Sequence, residues 1–366
     1  MKICNYPYVV QNEILHNMEY SELFMLSFVS KNTKKFIKLS QKKRFKSISS
    51  IRYDHEKFGA SLVYIPINWD IILEMVNCEN WENLMEEIKD ANGGYHNFQL
   101  NVTGKILRFQ MCYSSGHPIV CVDNRDKESI MESIHSYFLD FFGNSMQYYW
   151  REKDYADYFF PKLPDVSFCI DLHLSRHFSE LEKLETFFSA SPVFKWIRLN
   201  AEMTWKRFNP ESKFYQAESL ELYQLRPNFP ATLRHFKGRQ AIFKCAEWEN
   251  SQYLIEFVNR WKSGDAFQKM EYLKFKLLNG EFPENRILNE IGAKYIDETE
   301  QPPKHVVPKV YDWRHCFTES NTDPITSHAY VVRQPDNRVA SILIEEKTFS
   351  FGVWDKTEEE FLKLMD

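Results

Sequence analysis

Three groups of residues combine side chains that could carry chemistry. Asp171, His173 and His177 bring together a carboxylate and two imidazoles, which are common ligands of zinc. The segments Asp54-His55-Glu56 and Asp312-Trp-Arg-His315-Cys316 place an acid or a thiol beside an imidazole, as a hydrolase could use. Each group would need a particular element of structure to aim its side chains at one point.

The elements predicted around these groups do not favour such sites. His173 lies in the strictly alternating segment 166–174, which predicts a β-strand, so the two imidazoles would not share a helix face. Adjacency in sequence does not by itself produce catalytic geometry, and the sequence has no P-loop, nucleophile elbow, H-E-x-x-H or dinucleotide motif. We therefore predict no enzyme activity, no metal and no cofactor. A hydrolase that uses Asp312, His315 and Cys316, or His55, stays as the alternative.

The composition predicts a well-cored globular protein inside the cell. Of 366 residues, 43% are hydrophobic and 16% aromatic, and the net charge of −5 carries no signature of nucleic-acid binding. There is no apolar run of the ~18 residues that a membrane span needs, and no secretion signal at the N-terminus. The seven cysteines form no C-x-x-C pair and are predicted to be reduced. We expect no membrane or nucleic-acid partner and a location in the cytoplasm, the nucleus or both.

The segment 31–46 is dense in basic residues and contains no acidic ones. Three interpretations remain open. It could be a solvated helix face leading into a linker, a surface that attracts an acidic partner, or a nuclear-localisation or nucleic-acid patch. The acidic balance of the whole chain makes nucleic-acid binding the least favoured of the three.

The N-terminal stretch predicts three short helices. Val10, Ile14 and Met18 recur at helical spacing, Ser21 is a candidate N-cap for a second helix, and a third is predicted over 33–39. Three short helices in about forty residues cannot bury their own apolar faces. We therefore expect the rest of the chain, or a partner, to cover them.

The same stretch resembles an F-box, and in particular that of the large nematode F-box families. The resemblance rests on Glu13-Ile-Leu-x-x-Met18, Glu22-Leu-Phe-x-Leu-Ser27 and Ser30-Lys31-x-Thr33-Lys34-x-x-Ile37. It implies a partner, the Skp-type adaptor of a ubiquitin ligase, and through it the cullin and RING subunits. The residues expected to contact the adaptor are Pro7, Ile14, Leu15, Met18, Leu23, Phe24, Leu26, Val29 and Lys31.

Between the N-terminal helices and Pro164 we predict a mixed β/α region. Short strands are predicted over 60–65, 98–102, 106–111 and 118–122, with turn signals that indicate an antiparallel meander. Helices are predicted over 68–91 and 128–142, the second with an apolar stripe.

After Pro164, short strands recur with helices or loops between them. With Leu172, Leu199, Leu222, Phe243 and Leu273 as anchors, the steps are 27, 23, 21 and 30 residues, as in a degenerate leucine-rich-repeat solenoid. An ordinary α/β sandwich with evenly spaced strands is the alternative. The segments 254–273 and 329–354 also resemble the C-terminal F-box-associated region of the nematode proteins, and three strands over 329–354 would cap the open end of the repeat.

In such a repeat, the residues that alternate with the buried ones form an open face. Mixed charge with a tyrosine on this face favours protein recognition, although a solvated face with no ligand is the plain alternative. The residues predicted to bind a protein substrate are His173, Arg198, Glu221, Tyr223, Lys244, Lys274 and Lys276.

Together these observations predict an α/β chain with three parts. Residues 1–48 are expected to form the F-box helices, 49–160 a mixed β/α region, and 161–366 the repeat-like domain with its β-strand cap. The resemblance implies the substrate-recognition subunit of a Skp–cullin–F-box ubiquitin ligase, which tethers a target without making bonds. A protein-interaction scaffold outside any ligase is the alternative, with the hydrolase behind it.

Overall fold

The computed structural model describes residues 5–55, 60–66, 69–77, 95–112, 116–123, 125–144, 146–152, 169–174, 181–201, 208–224, 229–246, 250–311 and 321–365. The chain divides into two compact units, residues 1–168 and 169–366. The predicted F-box segment 1–48 and the region 49–160 lie within the first unit. The three-part division of the sequence remains a prediction.

The first unit begins with four short helices, α1 (Tyr8–Asn17), α2 (Tyr20–Leu26), α3 (Lys31–Ser40) and α4 (Lys42–Lys46). The N-cap of α2 is Glu19, whose backbone N–H donates to the Glu22 carboxylate at 2.8 Å while its own side chain accepts from the Glu22 backbone N–H. This reciprocal capping box satisfies two amides that the helix leaves unpaired. The prediction that Ser21 caps α2 was therefore wrong, because Ser21 lies buried inside the helix.

Within the described residues, a mixed sheet and one long helix follow in the first unit. The strands are β1 (Ser50–His55), β2 (Ser61–Ile65), β3 (Asp70–Asn77), β4 (Tyr95–Val102), β5 (Lys105–Cys112), β6 (Pro118–Val122) and β7 (Gln147–Glu152), in the order β7-β1-β2-β3-β6-β5-β4. The predicted meander is confirmed, since β4, β5 and β6 pair antiparallel in sequence order. The predicted second helix is confirmed as α5 (Lys127–Phe142), which buries its apolar stripe.

The helix predicted over 68–91 was wrong where the structure describes it. Residues 70–77 form β3, which pairs antiparallel with β2 and parallel with β6. Apolar side chains at Ile72, Leu73, Met75 and Val76 are all buried, because both faces of this inner strand are covered. A strand buried on both faces loses its alternation and can imitate helical spacing. Residues 78–91 lie outside the described part of the chain.

The second unit is built on five parallel strands that neighbour one another in sequence order. They are β8 (Cys169–Leu174), β9 (Trp196–Ala201), β10 (Ser219–Gln224), β11 (Gln240–Cys245) and β12 (Tyr272–Leu277). The connections contain α6 (Leu181–Ala190), a 3₁₀ helix (Lys213–Gln216), α7 (Phe229–His235) and α8 (Gln252–Ser263). Leu172, Leu199, Leu222, Phe243 and Phe275 lie side by side and are fully buried. Phe275, not the predicted Leu273, is thus the last anchor.

An antiparallel group follows the parallel strands. It contains α9 (Glu284–Glu290), β13 (Lys294–Tyr295), β14 (Lys304–His305), β15 (Ile325–Thr326), β16 (Ala329–Val332), β17 (Arg338–Glu345), β18 (Thr348–Thr357) and α10 (Glu358–Leu362). Strand β18 pairs antiparallel with both β12 and β17. The three strands predicted over 329–354 are therefore confirmed, and β18 covers the edge of β12.

Two further observations concern cysteines and membranes. Cys121 forms a disulfide, so the prediction that all cysteines are reduced was wrong. Cys169 and Cys245 are buried, and burial raises the pKa of the Cys245 thiol to about 12, which keeps it protonated and unreactive. Among the described residues, no helix combines the length and apolar character needed to cross a bilayer.

Candidate partner-binding sites

The N-terminal helices expose several large apolar side chains. Val9 is 76% exposed and Val29 72%, although both are aliphatic. Exposed apolar side chains grouped on one segment mark interaction surfaces in soluble proteins. We call this set the helical surface; with one exposed lysine it comprises Pro7, Tyr8, Val9, Val10, Val29, Lys31 and Leu39.

The residues predicted to contact an adaptor fall into three classes of exposure. Pro7, Val29 and Lys31 are exposed and belong to the helical surface. Ile14, Met18 and Leu26 are half-buried, whereas the side chains of Leu15, Leu23 and Phe24 are fully buried. In this structure the last three support the helices from inside. Direct contact of any of the nine with an adaptor remains a prediction.

An aromatic cluster explains the burial of α2. The Phe24 ring meets Phe28, Tyr137 and Phe138 with centroid distances of 5.0, 5.7 and 5.2 Å. Phe28 in turn stacks on Tyr137 at 4.4 Å, and the hydroxyls of Tyr137 and Ser27 are 2.6 Å apart. Tilted and edge-on rings at these distances attract beyond their burial alone. Helix α2 is therefore held to α5 through the first unit's own core.

The basic segment 31–46 forms helices α3 and α4, and part of it is neutralised within the first unit. Lys34 and Lys38 bind the Asp140 carboxylate at 2.6 and 2.8 Å, and the Lys34 ammonium lies 3.5 Å from the Tyr137 ring centroid. These two lysines hold the pKa of Asp140 below its ordinary value. The structure thus supports the helix-face interpretation for this part, and leaves the other two untested.

The second unit contains a pocket of about 280 Å³ on one face of β9–β12. We call it the sheet pocket. Because alternate residues of a strand share a face, three neighbouring register rows contribute to it. Its lining comprises Trp196, Arg198, Ser219, Glu221, Gln240, Ile242, Lys244, Tyr272, Lys274, Lys276, Lys309, Tyr311, Thr322 and Asp323.

The structure brings together five of the seven residues predicted to bind a substrate. Arg198, Glu221, Lys244, Lys274 and Lys276 all line the sheet pocket. His173 and Tyr223 occupy the same face of the sheet but are not part of the lining. The alternation argument therefore identified the face correctly, while binding of a substrate there stays untested.

Ion pairs set the charge pattern of the sheet pocket. The Lys244 ammonium lies 3.4 Å from the Glu221 carboxylate, and that of Lys274 lies 2.9 Å from Asp323. The lining has five basic side chains against two acidic ones; Arg198 also lies 3.7 Å from the Asp171 carboxylate just outside the lining, and a positive excess remains. Lys276 is exposed and makes no ion pair with a described residue.

A segment after β14 closes one side of the sheet pocket. The buried Gln240 amide donates to the Pro308 carbonyl at 2.7 Å and accepts from the Val310 N–H at 3.1 Å. Next to this clamp, the rings of Trp196 and Tyr311 lie 5.2 Å apart. One end of the pocket is consequently aromatic and the other basic.

The residues first considered for chemistry do not assemble into a site within the described chain. His173 lies 3.4 Å from the Asp171 carboxylate, and His177 is outside the described residues. The described ranges contain no cluster of three or more metal-binding side chains. Asp312, His315 and Cys316 also lie outside the described residues.

His55, the other candidate for a hydrolase, is fully buried. Its Nδ1 lies 2.7 Å from the Ser61 hydroxyl, and its Nε2 lies 3.2 Å from the Lys127 ammonium and 4.0 Å from the buried Glu152 carboxylate. A nucleophile must meet its substrate, but Ser61 is only 2% exposed. The group is thus a buried polar cluster of the first unit.

Two sets of residues at the candidate sites were not predicted from the sequence. The first set had a signal in the sequence and the second had none. Tyr8 and Val9 went unnoticed beside Val10, although three consecutive apolar residues span about 200° of a helix and cannot all face one core. Tyr311 and Asp323 reach the sheet pocket from a connection far along the chain, for which the sequence carries no local signal.

Comparisons with known proteins bear on the N-terminal segment that carries the helical surface. No match is found among curated proteins or among solved structures. The family model described as the F-box domain matches residues 7–45, which contain α1, α2, α3 and most of α4. F-box domains in general bind Skp-type adaptors and serve ubiquitin ligases as adaptors, typically without catalysing a reaction. An F-box domain is thus found at residues 7–45, over the N-terminal helices of this chain.

Proposed function

We propose that this protein is the substrate-recognition subunit of a Skp–cullin–F-box ubiquitin ligase. The observation that carries the proposal is the F-box domain at residues 7–45, in which Val9 on α1 and Val29 in the turn after α2 are exposed to solvent. Apolar side chains that stay exposed on a short helical domain suit burial by a protein partner. The partner proposed for this surface is the Skp-type adaptor, which would connect the chain to the cullin and RING subunits.

The proposed mechanism is tethering. The helical surface holds the adaptor, the second unit holds a target protein, and the target lysine meets the charged ubiquitin-conjugating enzyme at high effective concentration. The chain supplies no bond-making group in this scheme. Its contribution to the rate is the positioning of one protein relative to another, in the cytoplasm, the nucleus or both.

We propose that the second unit is a repeat-like, F-box-associated region of the kind found in the nematode proteins, which its sequence resembles. The parallel order of β8 to β12, with a helical connection between most neighbours, supports this assignment. In solenoids of this kind the open strand face is a binding surface. The sheet pocket on that face is the proposed site for the target.

Co-purification of the full chain with a Skp-type adaptor tests the proposal. Val9→Glu and Val29→Glu place a charge on the helical surface at positions too exposed to disturb folding. Ile106→Glu is the matched control, because Ile106 is 70% exposed in the same unit but lies outside the F-box domain.

We expect the wild type and Ile106→Glu to retain the adaptor, and both valine variants to lose it, because burying an unpaired charge in an apolar interface costs several kcal/mol. Retention of the adaptor by all four proteins would remove the helical surface from the proposal. Absence of binding by the wild type would remove the ligase function itself.

A second function has one observation in its favour. Leu15, Leu23 and Phe24 are buried in the first unit, as expected if the N-terminal helices serve the fold of a protein-interaction scaffold that joins no ligase. The scaffold proposal predicts that the wild-type chain captures no adaptor at micromolar concentration. The co-purification therefore decides between the two functions.

A further inference from the structure

We propose that the sheet pocket binds an acidic peptide segment that presents an apolar side chain between carboxylates. This inference rests on the proposed function, because the segment would belong to the target protein. It adds the chemical class of that target, which follows from the charges, the apolar end and the size of the pocket.

The basic side chains of the pocket are arranged along the sheet. Lys244 and Lys276 are register partners on β11 and β12, and Lys274 lies one row further into the pocket on β12. Their intramolecular acids, Glu221 and Asp323, pair with only two of them. Lys276 is exposed and makes no ion pair among the described residues. An incoming carboxylate could therefore bind its ammonium group without breaking an existing ion pair.

The opposite end of the pocket suits an apolar side chain. Trp196 and Tyr311 line it, Ile242 lies one row away beside Lys274, and the Gln240 clamp fixes the segment that carries Tyr311. Aromatic walls of this kind are the usual anchors of peptide side chains. An aromatic or aliphatic side chain placed here would remain next to the lysines.

Tyr272 adds a directional contact. It is 1% exposed, lines the pocket, and its hydroxyl finds no hydrogen-bond partner among the described residues. A buried hydroxyl without a partner is costly, so a ligand oxygen that accepts from it gains free energy. Burial and the nearby Asp323 raise the pKa of Tyr272, which keeps the hydroxyl protonated and able to donate.

The volume limits the occupant. Pockets for drug-sized ligands measure roughly 300–1,000 Å³, and the sheet pocket, at about 280 Å³, lies at the lower limit. It therefore has room for one side chain and the flanking groups of a peptide, while the rest of the peptide would lie along the open face. A short segment of a larger protein fits these dimensions.

Fluorescence anisotropy with a synthetic probe tests the inference on the full chain. The probe is a fluorescein-labelled peptide with one central phenylalanine flanked by glutamates. Two further peptides replace the phenylalanine by glycine, or all the glutamates by lysines. The protein variants are Lys276→Glu and Ile242→Ala. Lys269→Glu serves as the matched control, since Lys269 is exposed in the same unit and is not part of the pocket lining.

We expect the acidic phenylalanine peptide to bind best and the basic peptide not to bind. Lys276→Glu should weaken binding by about five- to tenfold, because a partly exposed attraction becomes a repulsion, whereas Lys269→Glu should change it by less than about twofold. Ile242→Ala should reduce the preference for phenylalanine over glycine. Binding should weaken as salt screens the charges.

Two results would overturn the inference. One is wild-type protein that co-purifies with the adaptor but does not bind the acidic peptide; the proposed function would survive and its substrate class would not. The other is equal weakening by Lys276→Glu and Lys269→Glu, which would indicate a general charge effect instead of a site. Peptide binding without adaptor binding would support the site and reject the ligase function.

Discussion

Replacing Phe24 by alanine should destabilise the first unit without touching the exposed surface of its helices. The Phe24 side chain is fully buried and contacts three aromatic rings, two of them on α5. Phenylalanine-to-alanine changes in protein cores cost about 3–5 kcal/mol. Three ring pairs, each contributing about 0.5–1.5 kcal/mol beyond burial, place this site in the upper half of that range.

Native-state hydrogen exchange measures this loss locally. We expect the free energy of opening to fall by about 4 kcal/mol for protected amides of α2 and α5, up to the limit set by the stability of the unit. The amides of β9 to β12 should keep their protection, because they belong to the second unit. Val29→Ala is the control, and since Val29 is 72% exposed we expect a change within about 0.5 kcal/mol.

Substitutions at Phe24 and Val29 distinguish a residue that supports the fold from one that contacts the adaptor. Phe24→Ala should lower stability, whereas Val29→Glu should leave stability unchanged and abolish adaptor binding. A loss below about 1 kcal/mol in Phe24→Ala, or unchanged protection of α5, would refute the packing of α2 on α5. Strong destabilisation by Val29→Glu would refute the assignment of Val29 to the surface.

Three further changes have expected outcomes of their own. Burial lowers the pKa of His135 to about 4, below its unfolded value of about 6.5. The folded protein is therefore fully stabilised by the neutral imidazole above pH 6.5 and loses this stability as the pH falls towards 4. Urea titrations should show a loss of up to about 3 kcal/mol in the wild type and not in His135→Gln. Asp140→Asn should cost about 0.5 kcal/mol near neutral pH, and the difference should vanish in urea titrations below the lowered pKa of Asp140, where the wild-type carboxyl is protonated too. Gly264→Ala should lower the thermal midpoint by the equivalent of about 1–3 kcal/mol, because φ is +79° and the added Cβ would lie 2.6 Å from Pro335 Cγ.

Elements with one buried face were the ones that the sequence could predict. The strands that carry the anchors Leu222 and Phe243 and the helix over 127–142 show a clear period, and the sequence predicted each of them. Strand β3 was not, because covering both of its faces removes the alternation on which a strand prediction depends. The start of α2 failed for another reason, since the glutamates at 19 and 22 cap it more completely than Ser21 could.

The candidate sites were predictable to the extent that they lie within single elements. Parallel register turns five alternating strands into one face, so Lys244 and Lys274 could be grouped from the sequence alone. Sequence spacing alone could not separate the buried Phe24 from the exposed Val29 in the turn after α2, because exposure depends on what α5 covers. The clamp of Gln240 on residues 308–310 depends on tertiary structure, and no pattern within either segment encodes it.

The reversal of strand direction at β18 has a consequence for how this protein could change in evolution. A duplicated strand-and-helix segment can be accommodated between existing parallel strands, since each neighbour then receives a partner of the same orientation. The same segment added after β12 would have to displace β18 and break the antiparallel pairing from Tyr272 to Lys276. Lineages of this chain should therefore differ in length between β8 and β12, while the closing hairpin of β17 and β18 keeps its size.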